Sequence, residues 1–572
     1  MTVKELYKLW CEKAVDDADL IPELKSIEGN DSEIEDRFAI SLKFGTAGLR
    51  GVIGAGTNRM NIYTVRQATQ GLADYVNQEF KNGSVAIAYD SRIKSDIFAK
   101  EAAGVLAANG IKVYIYPELM PTPMLSFAVR ELKCDSGIVI TASHNPAKYN
   151  GYKVYGSDGC QMPPQAADIV LEKISHVDVL SGAKVIDFEE GINSGKIEYI
   201  SQAVFDRYLE KVKEQSIHPE IVAESGLKVV YTPLNGTGNK PIRQILKNIG
   251  VKDVTVVPEQ ELPDGNFPTC PFPNPEIKEA LQKGLELSYE VKPDLLLASD
   301  PDADRMGIAV PDGNGDFVLF SGNEVGALLL EYICHERTKL GTMPKNPITV
   351  KTIVSTDIIA KIAEAYNVEM IEVLTGFKFI GEQIGMLEEN NEEDRYIFGF
   401  EESYGYLAGS YVRDKDAVVA SMLVCEMTAF YRTQGISLIQ ARENLYKKYG
   451  NFVHTQKSFI CEGLSGMERM AEIMAELRQN PPAAIGGLKV LAIADYKESV
   501  KKNLTSNEEE TITLPKSDVI SFILENNAKV IIRPSGTEPK IKAYYTTTDK
   551  DRQKAEELEE IISADFSKII GF

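Results

Sequence analysis

Three short runs of the chain gather groups whose chemistry is complementary. In GIVITASHNPAKYNGYKVYG, residues 137–156, an apolar run stops at Ser143, which Thr141, His144 and Asn145 surround. A hydroxyl at the end of a buried strand either satisfies a turn or acts as a nucleophile. In LLLASDPDADRMG, Asp300, Asp302 and Asp304 alternate with Pro301 and Ala303. A turn at Pro301 makes the carboxylates converge, where, unpaired, they raise one another's pKa values. A divalent cation resolves that repulsion, and an all-oxygen donor set suits Mg²⁺ or Ca²⁺. In VIIRPSGTEPK, residues 530–540, Arg533 offers a bidentate fork, Ser535 and Thr537 offer hydroxyls, and Gly536 lets backbone N–H groups approach. Phosphate is the natural guest of such a cradle, with an ordinary Pro-Ser-Gly turn as the plain alternative.

The aspartate run has competing readings. An EF-hand loop needs Gly at its sixth position and Glu at its twelfth, where this chain has Arg305 and Pro311. A haloacid-dehalogenase-type phosphatase also sets Asp-x-Asp after an apolar strand, but carries Thr or Val where Asp304 stands. A solvated acidic turn, partly neutralised by Arg305, remains the bland alternative. TGFKFIG (375–381) and FEESYG (400–405) are weaker signals, in which Glu401 and Ser403 either exchange hydrogen bonds with sugar hydroxyls or cap a helix. FGTAGLRG (44–51) has glycines without a preceding βα unit, and no G-x-x-x-x-G-K-[ST] occurs, so neither dinucleotide nor P-loop chemistry is indicated. A nucleophilic hydroxyl, a carboxylate metal site and a phosphate cradle without nucleotide machinery point to phosphoryl transfer through Ser143, independent of ATP.

These groups must be positioned by strands. Short apolar runs alternate with helical periods, a pattern of α/β layers with mainly parallel strands. VAIAY (85–89) ends at Asp90, KVYIY (112–116) leads to PELMPTP, and KVVY (228–231) ends in TPLNGTGN. DLLLA (294–298), YIFGF (396–400) and KVIIR (529–533) end in the polar clusters already described. In open α/β sheets ligands bind beyond the carboxyl ends of strands, although every strand must end in something polar. Changes of character place domains at 1–200, 201–320, 321–448 and 449–572.

The chain of 572 residues carries a formal charge of −22, which excludes a protein whose main business is gripping nucleic acid. Its seven cysteines are scattered and odd in number, so neither a disulfide framework nor a structural zinc site is expected, and a reducing, cytoplasmic compartment fits. MTVKELYKLWCEKAVDDADL reads as an amphipathic helix with Leu6, Leu9 and Trp10 on one face, not as a secretory leader. AVVASMLVC (417–425) falls far short of the roughly 20 residues that span a bilayer. His176, His218, His335 and His454 cluster with no other ligand type and read as ordinary surface or core residues.

Taken together, the motifs resemble those of the α-D-phosphohexomutase family. TASHNP is similar to the family's phosphoserine loop, DPDADR to its metal loop, FEESYG to its sugar-specificity loop and RPSGTEPK to its C-terminal phosphate loop. They occur in the family's order over residues 141–540, with GTAGLR at 45–50 as a fifth element. The resemblance implies an α/β protein: three similar α/β domains with mixed sheets, plus a smaller α+β C-terminal domain, around a central cleft. It implies that Ser143 carries the phosphate and that Asp300, Asp302 and Asp304 ligate Mg²⁺, the seryl phosphate completing the site. Thr46 and Arg50 match residues near the reacting phosphate, Lys153 a proton shuttle, and Arg305 lies beside the metal loop. His144 adjoins the nucleophile and either orients it or shapes the loop. Thr375 and Lys378 match the substrate-contacting loop, Glu401 and Ser403 the pair that reads sugar hydroxyls, and Lys415 the lysine of an Arg-x-Lys-Asp stretch. Arg533, Ser535, Gly536 and Thr537 match the grip on the distal phosphate.

The implied activity is the interconversion of α-D-glucose 1-phosphate and glucose 6-phosphate through glucose 1,6-bisphosphate. Its partner is a small-molecule sugar phosphate, with neither nucleic acid nor membrane, and the protein is a monomer or homodimer. Bacterial members acting on mannose often read Gly-Glu-Met-Ser-Gly-His in the sugar loop, whereas FEESYGY has Phe400 and Tyr406 and no histidine. That favours the glucomutase-like branch, leaving phosphomannomutase, phosphopentomutase and a non-catalytic sugar-phosphate sensor as alternatives.

Overall fold

The computed structural model describes residues 1–45, 48–461, 464–535 and 540–572, with residues 464 and 465 described in backbone only. They fall into two compact units, one of residues 1–322, 380–399 and 403–436, the other of residues 323–379, 400–402 and 437–572.

The first unit is built on two sheets. One contains β1 (Gly48–Val52), β2 (Ser84–Tyr89), β3 (Lys112–Ile115), β4 (Ser136–Ile140), β5 (Tyr149–Gly156) and β6 (Ile197–Tyr199), in the order β1-β5-β4-β2-β3-β6. The other contains β7 (Lys228–Thr232), β8 (Asp253–Val256), β9 (Leu295–Ser299), β10 (Met306–Pro311) and β11 (Phe317–Phe320), in the order β11-β10-β9-β7-β8. β4 and β9 are buried along their whole lengths, which explains their unbroken apolar runs: helices cover both faces, so no residue needs to be polar. Fully burying each Val, Ile or Leu there contributes about 1.5–3 kcal/mol.

The pairing is less parallel than the alternation suggests. β4, β2, β3 and β6 run parallel, as do β9, β7 and β8. β5 returns antiparallel to both β4 and β1, and β10 returns antiparallel to β9 and β11. The connections β4–β5 and β9–β10 are short, and a short connection permits only an antiparallel neighbour. These two connections are the serine loop and the aspartate loop.

Gly151 on β5 is needed where the serine loop begins. A Cβ there would lie 2.4 Å from the Thr141 carbonyl oxygen and 2.9 Å from that of Leu49. Its absence lets β5 sit between β1 and the end of β4, with Thr141 N–H donating to the Gly151 carbonyl at 3.1 Å.

Ahead of the first sheet, helices Val3–Lys13, Leu20–Ser26 and Asp31–Phe38 pack onto it through Trp10, Leu24 and Phe38. Trp10 is fully buried and edge-on to Phe38 at 5.7 Å and Tyr63 at 5.5 Å, while Leu6 is only partly buried. The apolar stretch at 417–425 lies in helix Ala417–Thr433, buried on every side and capped by Asp416. Among the described residues no helix is long and apolar enough to cross a membrane.

In the second unit, Ile348–Thr352 and Glu369–Val373 pair in parallel within a third sheet. The C-terminal residues form an antiparallel sheet of eight strands among the described residues, backed by helices Leu464–Gln479 and Arg552–Ile569. One core gathers Phe522, Ile532, Tyr545 and Phe566, and a second joins Ile353, Val354 and Leu374 to Tyr496, Ile531 and Tyr544. The expected architecture of α/β domains with mixed sheets followed by an α+β C-terminal domain is the one observed, the last being rich in strands.

Candidate active site

The serine loop leaves β4 at Ile140, and the chain is turned at Ser143, whose φ of 52° is uncommon for a residue with a side chain. Its N–H donates to Thr141 Oγ1 at 2.8 Å. Its hydroxyl donates to Asp300 Oδ2 at 2.9 Å and lies 3.2 Å from His144 Nδ1. Burial and the nearby Arg305 and Arg50 hold the His144 imidazole well below its ordinary pKa, hence neutral.

The aspartate loop leaves β9 at Ser299 and turns through Ala303, at φ 49°. Asp300 Oδ1 accepts from the N–H groups of Asp304 at 3.1 Å and Arg305 at 3.0 Å. Gly236 makes room behind the turn: a Cβ there would lie 2.5 Å from Pro301 Cα. Asp300, Asp302 and Asp304 are all buried, and one oxygen of each lies within 4.8 Å of the others.

Two lysines offset part of this charge. Lys153 Nζ is 3.1 Å from Asp302 Oδ2 and 3.9 Å from Asp304 Oδ2, and Lys415 Nζ is 3.1 Å from Asp304 Oδ2 and 3.2 Å from Asp414 Oδ1. Thr122 Oγ1 donates to Asp302 Oδ2 at 2.9 Å. Burial, then Asp302 and Asp304, push the Asp300 carboxyl well above its ordinary pKa, and burial with Asp302 raises Asp304. Burial also presses on Asp302, but Lys153 and hydrogen bonds from its neighbours hold it below the usual carboxylate range. Burial opposes the charge of Lys153, yet Asp302 and Asp304 raise its pKa and keep it cationic.

The donors fit a hard divalent cation. Asp302 Oδ1 and Asp304 Oδ1 are buried without a hydrogen-bond partner, and an unsatisfied buried carboxylate oxygen is costly. Three converging carboxylates, two of them raised by burial and mutual repulsion, are the environment that such an ion stabilises.

Arg50 lies at the margin of the serine loop, exposed on β1, with Nη1 donating to Asn145 Oδ1 at 3.1 Å. Arg305 pairs through Nη1 with Glu276, and its Nε is 3.9 Å from Asp304 Oδ1. Its backbone N–H serves the loop more directly than its charge does. Ser403 is partly buried in the turn after residue 402.

In the second unit, Glu401 Oε1 accepts from the N–H of Gly376 at 2.8 Å, joining the sugar-loop carboxylate to the turn that carries Thr375. Gly376 sits at φ 119°, closed to other residues without strain. Lys378 Nζ lies over the Phe379 ring at 5.1 Å. Arg533 lies over the Tyr544 ring at 5.9 Å, and its Nε and Nη2 donate to the Tyr544 hydroxyl, both at 3.3 Å. Ser535 N–H donates to the Lys540 carbonyl at 2.8 Å, closing the base of the C-terminal loop. Thr46, Gly536 and Thr537 lie outside the described residues.

Two residues beside this cluster escaped sequence reasoning: Thr122, on the aspartates, and Arg92, against the serine loop. The available signal was their place shortly after strands, in PELMPTP and AYDSR.

The chain matches four family descriptions in succession: phosphoglucomutase/phosphomannomutase alpha/beta/alpha domain I at 41–179, domain II at 206–313, domain III at 321–449 and the C-terminal domain at 488–564. It is 39% identical to a phosphoglucomutase of Staphylococcus aureus strain bovine RF122 / ET3-1 over 542 residues, 94% of this chain and 95% of that one. It is 37% identical to a phosphoglucomutase of Staphylococcus haemolyticus over 537 residues, 93% of this chain and 95% of that one. Among solved structures, it resembles in fold the exocytosis-sensitive phosphoprotein parafusin, a phosphoglucomutase, from Paramecium, with a TM-score of 0.68 at 17% identity, covering 93% of this chain and 95% of that one. A phosphoglucomutase/phosphomannomutase family protein from Burkholderia thailandensis gives 0.66 at 18% identity, covering 92% of this chain and 97% of that one.

Proposed function

The chain belongs to the phosphoglucomutase/phosphomannomutase family, and from that premise we propose that it interconverts α-D-glucose 1-phosphate and glucose 6-phosphate through a phosphoserine at Ser143. The observation that carries this reading is the 2.9 Å hydrogen bond between Ser143 Oγ and Asp300 Oδ2, which sets a nucleophile against a carboxylate trio suited to a cation. The glucose preference rests on relatives named phosphoglucomutase and on the FEESYG loop, which lacks the histidine of the mannose-type motif.

Asp300, Asp302 and Asp304, with an oxygen of the seryl phosphate, would hold Mg²⁺. When bound, the ion neutralises phosphoryl oxygen charge during in-line transfer. The remaining work falls to the chain. The bond from phosphorus to Ser143 Oγ breaks as one forms to a sugar hydroxyl oxygen. Lys153, kept cationic by the aspartates, gives a proton to the departing Oγ and regains one from the sugar hydroxyl. Neutral His144 hydrogen-bonds Oγ without adding charge. The resulting glucose 1,6-bisphosphate returns its other phosphate to Ser143 by the same route. Lys415 and Arg50 supply further cationic charge near a substrate that itself carries about −1.5 to −2. Thr375, Lys378, Glu401 and Ser403 are assigned to the sugar. Arg533 and Ser535, with Thr46, Gly536 and Thr537, are assigned to its phosphates. None of the seven cysteines is joined in a disulfide, which supports a cytoplasmic site of action.

The test is mass spectrometry for phosphate on Ser143 after exposure to glucose 1,6-bisphosphate. A coupled assay on glucose 1-phosphate accompanies it, with mannose, ribose and glucosamine phosphates compared. Label on Ser143 with fastest turnover of the glucose ester is expected. An active enzyme without that label overturns the mechanism, and faster turnover of another sugar overturns the substrate.

A further inference from the structure

We infer that Arg92 is the positioning residue of the serine loop, its guanidinium gathering backbone carbonyls from both ends of residues 143–149 so that Ser143 faces the aspartates. The inference rests on the reading of Ser143 as the phosphoryl carrier.

Arg92 lies three residues past the end of β2 and is buried. Its Nη2 donates to the carbonyl oxygens of Ser143, at 2.5 Å, and of Asn145. Its Nη1 donates to those of Pro146 and Tyr149, both at 3.0 Å. The carbonyls of Ser143 and Asn145 lie in the loop between β4 and β5, outside the strands, and a buried carbonyl must find a donor; the Pro146 carbonyl accepts from Tyr149 N–H as well, at 3.0 Å. A planar fork offers several N–H groups in fixed directions to acceptors spread along a loop, whereas a lysine ammonium is a single point without that fixed geometry.

The fork is itself placed by its neighbours. Asp90 Oδ2 lies 3.3 Å from Arg92 Nε, and Asp90 Oδ1 accepts from Arg92 N–H at 2.9 Å and from Ser95 Oγ at 2.7 Å. The Phe267 ring, from the segment between β8 and β9, stacks on the guanidinium at 5.1 Å. That segment sits close enough that a Cβ on Gly265 would lie 2.4 Å from Ile93 N and 2.8 Å from Arg92 C. Ser143 occupies a left-handed conformation, which persists only where the surroundings over-determine it. Arg92 supplies that determination without touching the reacting atoms, and it ties the serine loop to the part of the unit that carries the aspartates.

The experiment compares wild type, Arg92→Lys, and Arg92→Ala with and without ethylguanidinium. Read are the single-turnover rate of Ser143 labelling by glucose 1,6-bisphosphate, kcat and KM for glucose 1-phosphate, thermal melting, and hydrogen exchange of the amides at 143–149. A loosened nucleophile predicts an R92K labelling rate and kcat down about 100-fold with KM little changed, faster exchange at 143–149, and partial rescue of R92A by ethylguanidinium. Wild-type labelling and exchange in folded R92K, or a loss that merely tracks the unfolded fraction, overturns the inference. Should R92K fail to fold, Phe267→Leu is read in the same assays: slower labelling and faster loop exchange support the role, and no change overturns it. Failure of the wild type to label at Ser143 defeats the phosphoserine reading alone, and loop exchange then still decides whether Arg92 positions the loop.

Discussion

Ser143 and Asp300, 157 positions apart in sequence, share a hydrogen bond of 2.9 Å. The bond joins the loops that leave two strands of different sheets, and the proposed phosphoserine reading predicts that the hydroxyl matters far more to turnover than to the fold. Ser143→Ala is expected to abolish phosphate incorporation and lower turnover by at least about 1,000-fold. Losing the donor to Asp300 costs about 1–3 kcal/mol, so the variant should still melt cooperatively, as calorimetry checks.

Because the aspartate trio is short of positive charge, a divalent ion should stabilise the protein. Mg²⁺ at 100 times its dissociation constant adds about 2.7 kcal/mol, seen as a rise in melting temperature that a chelator reverses. Asp302→Asn and Asp304→Asn should abolish both that rise and turnover. An unchanged Mg²⁺ response in both variants would remove the metal assignment.

Glu402 provides a pH signature in the second unit. Burial and then Glu401 push its carboxyl up to about 7, against the opposing pull of Arg533 and Lys542, and Thr352 Oγ1 donates to its Oε2 at 3.3 Å. A raised carboxyl pKa means that the folded chain holds a proton the unfolded chain has released, so stability falls as pH rises from about 4.5 to about 7. Glu402→Gln removes that dependence, flattening the curve by about 3 kcal/mol. Denaturant titrations of both proteins across this window test it.

Gly151 admits no side chain. In Gly151→Ala the new methyl meets the backbone oxygens of Thr141 and Leu49, neither of which can rotate away. The substitution should cost about 1–3 kcal/mol and lower kcat more than it raises KM, since the shift falls at the root of the serine loop. Denaturant unfolding and steady-state kinetics read the two effects.

The sequence made the loops more legible than the strands' directions. Asp300, Asp302 and Asp304 announce themselves because three carboxylates two residues apart have few uses, and their convergence is observed. The antiparallel returns of β5 and β10 were hidden, because a buried strand has the same apolar run whichever way it points. Lys415 could be matched by motif, but its place beside Asp304 depends on folding over a separation no local pattern encodes. Thr122 and Arg92 were missed because they act on partners outside their own motifs. Arg305 divides its charge: its Nε lies 3.9 Å from Asp304 Oδ1, in keeping with partial neutralisation of the trio, while its Nη1 pairs with Glu276, which no local pattern announced.

Trp10 is the chain's only tryptophan, sealed between the N-terminal helices and the first sheet's layer. Intrinsic emission excited at the indole band is therefore an optical probe of that corner alone, blind to melting of the C-terminal residues. Fluorescence and far-ultraviolet dichroism recorded during one temperature ramp would thus distinguish concerted loss of the whole molecule from stepwise disassembly.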